Sequence, residues 1–118
     1  MIEAALLAAV VAAGAAQTAV QTSGASAAFH ALVDEDWEAR LREDPLLATS
    51  TGDHRYDDRL PSVTPADLER TAQRQKATLA RLRDVARASL DTQDRISYDM
   101  LAAELRDDVA AHELGQWR

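Results

Sequence analysis

Cysteine is missing from all 118 residues. That absence excludes a disulfide framework, a Cys-ligated zinc site, a cysteine nucleophile and a lipid-modified N-terminal cysteine. Glycine occurs four times, never as a Gly-rich loop that could cradle a phosphate and never in a G-x-S-x-G turn. Strand-like alternation of apolar and polar residues is absent over any useful length. The first apolar run, Ala4 to Ala16, has thirteen residues and is too short to cross a bilayer as a helix. Bases are scarce: thirteen Lys and Arg face twenty Asp and Glu, for a net charge of −7. Such a chain repels phosphate backbones, so nucleic acid is excluded as a partner.

What the sequence does hold is helical periodicity. Its length suits one small domain. Residues 29–60 carry nine acids and four bases, residues 61–90 three acids and six bases, and residues 91–118 seven acids and three bases. A basic segment therefore lies between two acidic ones, and folding the three back on one another gains modest electrostatic support.

The opening stretch has two readings. Ala4–Ala16 suits the apolar region of a secretory signal, and small-residue cleavage patterns follow at Ala13-Gly14-Ala15 and Ala25-Ser26-Ala27. Residues 1–27 are then a leader, residues 28–118 the helical segment, and the protein is exported to the periplasm or secreted. Against this, the start carries Glu3 and no Lys or Arg. The alternative is an Ala-rich helix in a cytoplasmic protein.

From Ala27 to Glu43, Phe29, Leu32, Val33, Trp37 and Leu41 define one helix face, and "DEDWEARLRED" reads as the solvated face opposite. Asp36 with Arg40, and Glu38 with Arg42, are i,i+4 pairs. Asp44 and Pro45 start a short helix that Gly52 stops. Thr64, Pro65 and Asp67 begin a long helix reaching Ala88, with a seam at Leu68, Ala72, Gln75, Leu79, Leu82 and Ala86. A further helix, Thr92–Leu114, is capped by Asp91 or Thr92 and ended by Gly115. Its stripe is Tyr98, Leu101, Leu105, Val109 and His112, flanked by Ile96 and Met100. The expected fold is all-α: a long antiparallel hairpin with a shorter helix beside it.

Chemistry is harder to find. "HELGQ" at His112–Gln116 falls short of H-E-x-x-H, because the fifth position is Gln116 and Gly115 would end the helix. No serine or aspartate is placed by sequence against a histidine. The densest polar stretch is "TGDHRYDDRL", Thr51–Leu60. Asp53, His54, Asp57 and Asp58 are a conceivable hard-cation set, yet Arg55 and Arg59 among them would repel a cation. Arg–carboxylate pairing is the simpler expectation, with Tyr56 and Leu60 turned inward to pin a connector. Substrate contact in a larger protein is the alternative. No catalytic, cofactor or metal residue is assigned.

Four motifs in order resemble the N-terminal region of the bacterial "domain of unknown function 885" family. They are D-E-x-W-E at Asp34–Glu38, D-P-x-x-A-T at Asp44–Thr49, G-D-x-R-Y-D-D-R-L-P at Gly52–Pro61 and D-R-I-S-Y-D at Asp94–Asp99, within residues 29 to 114. The resemblance implies a longer, mostly helical, often exported protein similar to helical zinc peptidases, with an H-E-A-x-P-G-H motif far downstream that has no counterpart here. It implies zinc only in a full-length relative, a peptide substrate only at full length, and the remainder of a longer chain as partner. It implies a scaffold segment inactive alone. The competing reading is a stand-alone helical interaction module.

Overall fold

The structure is a computed structural model and describes residues 24–116. Helix α1 covers residues 24–43 of that span. It is followed by α2 (Pro45–Ser50), α3 (Pro65–Asp84) and α4 (Thr92–Glu113), with single 3-10 turns at His54–Tyr56 and Arg87–Ser89. The fold is all-α, with no strand among the described residues. None of their helices is long and apolar enough to cross a membrane. The Ala4–Ala16 run and the first cleavage pattern lie outside the described residues. The second pattern lies inside α1, where Ala25 packs against the core, so the boundary drawn between residues 27 and 28 falls within a helix.

The starts and stops follow local chemistry. Asp44 accepts from the Leu47 N–H at 3.1 Å, Thr64 from Asp67 at 3.2 Å and Asp91 from Asp94 at 2.8 Å. Each satisfies an N–H that a helix's first turn leaves unpaired. Pro45 and Pro65 occupy first-turn positions where no N–H is needed. At the other ends, Gly52 and Gly115 take φ of +89° and +68°. The Asp53 N–H reaches Ala48 O at 2.8 Å, and the Gln116 N–H reaches Ala111 O at 3.1 Å. Both ends are Schellman closures, which require the left-handed residue.

Side-chain pairing fixes the helix directions. Glu69 meets His112 and Gln75 meets Asp108, so α3 and α4 run antiparallel. Glu35 meets Arg81 and Glu43 meets Arg74, so α1 is antiparallel to α3. His30 meets Asp94 and Arg40 meets Glu104, with the same offset of 64 residues, so α1 runs parallel to α4. The expected hairpin is present, and the described part of the helix beside it, residues 24–43 of α1, is as long as α3. Phe29, Leu32, Leu79, Leu82, Leu90 and Leu105 form the core where the three meet.

Three expectations need correction. Trp37 is 43% exposed, whereas Asp36, expected on the solvated face, is buried at 5%. The expected face holds at Phe29, Leu32 and Leu41, which are buried, and fails at Trp37, beside which Asp36 turns inward onto its guanidinium partners. Helix α3 ends at Asp84 and not at Ala88, since Val85 takes an extended ψ of 131°. The chain then turns through Arg87–Ser89 to bring Leu90 into the core at 1% exposure. Leu60, expected inward, is 76% exposed.

Candidate functional site

The connector is built around its own charges. Arg55 donates from Nε and Nη2 to Asp53, at 3.0 and 2.6 Å, and reaches Glu38 of α1 at 3.0 Å. These bonds, the Arg55 side chain foremost, hold the Asp53 carboxyl down at about 2. Thr49 Oγ1 donates to Asp57 at 2.6 Å, and His54 Nδ1 lies 2.8 Å from the other Asp57 oxygen. Thr49 and then His54 lower the Asp57 pKa. Arg59 meets Asp58 at 3.3 Å. Arg55 and Arg59 lie over the Tyr56 ring, 5.4 and 5.3 Å from its centroid. The three aspartates thus take different partners and do not converge. The Arg–carboxylate pairing is there, while Tyr56 acts as a platform for two guanidiniums.

A second cluster, which sequence reasoning missed, ties the three long helices together. Asp36 accepts from Arg40 Nε at 2.6 Å and from Arg74 Nη1 at 2.7 Å. Arg74 also forks onto both oxygens of Glu43, at 2.5 and 2.8 Å. Arg40 Nη1 reaches Glu104 of α4 at 2.6 Å. Burial lowers the pKa of each arginine, but their carboxylate partners outweigh it and the net shift is upward. Arg40 Nη2 is buried with no hydrogen-bond partner. Asp108, bonded to Gln75 at 2.9 Å, has its pKa raised by burial and by the neighbouring Glu104, Asp36 and Asp107, against the opposing pull of Arg40. The Asp36–Arg40 spacing was legible as a helix pair. Its junction with Arg74, 38 residues away, has no local signal.

A third grouping does set a serine and an aspartate against a histidine, contrary to the sequence expectation. Ser26 Oγ donates to Asp94 Oδ2 at 3.1 Å, and His30 Nε2 lies 2.9 Å from Asp94 Oδ1. The aspartate is the hub, whereas a nucleophilic triad needs the imidazole between the hydroxyl and the carboxylate. The group instead pins α1 to the start of α4. His112 Nε2 pairs with Glu69 at 2.7 Å, and the helix holding it closes at Gly115, as expected.

A groove of about 590 Å³ lies between the start of described α1 and the end of α3, walled by Ala25, Ala28, Leu32, Val85 and Ala86. Arg81 on its edge is held by Glu35. Catalytic zinc needs three converging protein ligands and an open position. His30, His54 and His112 each face a different carboxylate on a different element. No group of three His, Cys, Asp or Glu among the described residues is arranged to hold a metal. These residues do not fit a zinc site.

The family model described as "Bacterial protein of unknown function (DUF885)" matches residues 45–118. The matched span holds the connector and D-R-I-S-Y-D motifs and leaves D-E-x-W-E at Asp34–Glu38 outside it. No curated protein and no solved structure matches the chain.

Proposed function

The chain belongs to this family of bacterial proteins of unknown function, and from that premise we propose that it is the non-catalytic N-terminal helical scaffold of a zinc-dependent, metallopeptidase-like hydrolase. One observation carries this: the Asp36, Arg40, Arg74, Glu43 and Glu104 side chains bind one another across three helices. A buried carboxylate, Asp36, held by two partly buried guanidiniums fixes helix positions. Zinc, its histidines, the catalytic glutamate and the peptide-binding surface would then belong to a later part of a longer polypeptide. The connector at Asp53–Arg59 serves to hold α2 and the turn before α3. Export, with a mature start near Ala28, accompanies this reading and rests on the apolar Ala4–Ala16 run.

A second reading, a stand-alone helical interaction module, is favoured by the exposure of Ile96 and Met100, at 50% and 69%. Isolating the native gene product separates the two. Its mass and N-terminus are read by mass spectrometry, and it is incubated with a mixed peptide pool with and without a chelator. The scaffold account expects a product longer than this chain, lacking the leader, whose peptide cleavage the chelator abolishes. A longer product without cleavage would remove the hydrolase, a cytoplasmic product retaining Met1 would remove export, and a product ending at Arg118 would leave the module.

A further inference from the structure

A cavity of about 270 Å³ lies where the end of α1, the chain after the connector and the first turns of α3 meet. An arginine reaches it from each: Arg42 from α1, Arg59 from the connector and Arg70 from α3. Two acids, Glu43 and Asp67, complete its charged lining. Three arginines against two acids leave a surplus positive charge, in a chain whose net charge is −7.

The acids are committed elsewhere. Glu43 accepts on both oxygens from Arg74, and Asp67 accepts from Ser62, Thr64 and Arg70. Two of the arginines are not. The i,i+4 spacing pairs Arg42 with Glu38, but Arg55 takes Glu38. Arg42 makes no hydrogen bond or ion pair among the described residues. Arg59 gives only its Nε, at 3.3 Å, to Asp58, which is itself 74% exposed. A solvated pair of this kind is worth little, and both Nη groups of Arg59 remain to donate. The Tyr56 ring steadies that guanidinium without using an N–H. Leu60, exposed, adds an apolar wall.

Free guanidinium forks match a carboxylate or a phosphate. Charge decides between them. One carboxylate cancels the surplus, whereas a phosphate carries more than one charge and would be left facing Glu43 and Asp67. Size narrows the choice further. The cavity is smaller than the ~300 Å³ at which pockets enclose a whole drug-sized ligand. It has room for the end of a molecule, a carboxylate with one short apolar group against Leu60.

We propose that this cavity binds a carboxylate carrying a short apolar group, with Arg42 and Arg59 donating to the carboxylate and Leu60 packing on the apolar part. The C-terminal residue of a peptide and a free branched acid share that chemistry. Binding here needs no metal and breaks no bond, so it does not rest on the scaffold function proposed above.

The isotope-labelled 118-residue chain is titrated by NMR with four probes: isocaproate, an acetylated tripeptide ending in leucine, the same tripeptide as its C-terminal amide, and inorganic phosphate. Isocaproate and the tripeptide acid should saturate one-to-one, shifting the signals of Arg42, Arg59, Leu60 and Ser62, and the amide should not. Arg42→Gln and Arg59→Gln should each weaken binding roughly ten-fold or more, the loss of a charge-assisted hydrogen bond, and leave the rest of the spectrum unchanged. Arg83→Gln removes the same charge at the other end of α3 and should leave binding as it was. Tighter binding of the tripeptide than of isocaproate would assign the site to chain ends, and the reverse order to free acids; either supports the proposal. No saturable shift with either acid would overturn it, as would equal binding of the amide. Loss of binding in Arg83→Gln as large as in Arg42→Gln would reduce it to diffuse attraction and overturn the site. Phosphate binding tighter than both acids would overturn the carboxylate.

Discussion

Asp36 shows how far a single residue can depart from its pattern. It stands in an acidic run, yet its side chain is 4% exposed and accepts from two arginines. Removing it leaves Arg40 and Arg74 partly buried with one fewer counter-charge. We expect Asp36→Ala to cost about 2–4 kcal/mol, since breaking a buried pair exposes the desolvation penalty of the remaining partner. The urea midpoint measures it, and a loss under ~0.5 kcal/mol would show the cluster to be surface decoration. His30 makes a different prediction. The hydrogen bond and charge of Asp94, helped by Asp34 and Asp91 against some desolvation, raise its pKa above the ordinary 6.5. The folded protein therefore holds this proton more tightly than the unfolded chain. The stability so gained is fully present below 6.5 and is lost as the pH rises through the raised folded value. Asp94 works the other way: its lowered pKa contributes above the ordinary 3.8 and is lost as the pH falls through the folded value. The pair should stabilise most between these two ordinary values. The urea-midpoint difference between wild type and His30→Ala should accordingly be larger at pH 5.5 than at pH 8.5; equal differences would contradict the clasp. The Asp36–Arg40 pair was legible from its spacing, but not its burial, which breaks the polar-outside rule, and the His30–Asp94 contact was not legible because it spans 64 residues.

At the scale of elements, the helix starts were legible because their chemistry is local. Thr64-Pro65 and Asp44-Pro45 each place a side-chain acceptor before a residue that needs no N–H donor. Gly52 and Gly115 were legible as stops for the equally local reason that each must adopt a positive φ. The end of α3 was not. Residues 85–88 contain neither Gly nor Pro, and the helix stops where the chain must turn to bury Leu90, with Arg95 donating back to Leu90 O and Ala88 O. The hairpin itself was readable from two adjacent seams, and Leu79 and Leu105 now sit in one core at 8% and 0% exposure. Leu105→Asp should cost about 3–5 kcal/mol and Leu79→Asp somewhat less, because each drives a carboxylate into an apolar cluster. Circular dichroism during urea titration measures both. Wild-type midpoints would mean that α3 and α4 do not pack in solution as described.

For the whole molecule, the alternation of acidic, basic and acidic segments foretold the arrangement. Arg74 and Arg81 of α3 reach acids of α1, and Lys76 reaches Glu113 beyond α4's centre. What the sequence left open was the use of the polar connector, since Asp53–Arg59 could be sorted into pairs or gathered into a site. The pairs found there turn His54 towards Asp57 and Arg55 towards Asp53 and Glu38. If the chain is a scaffold, that pairing competes with any cation the loop meets. Calorimetric titration of the purified chain with zinc tests this most directly, on wild type and His54→Ala side by side. The account predicts weak heats with no defined stoichiometry, the same in both proteins. Tight one-to-one binding that disappears in His54→Ala would contradict it and make Thr51–Leu60 a metal site.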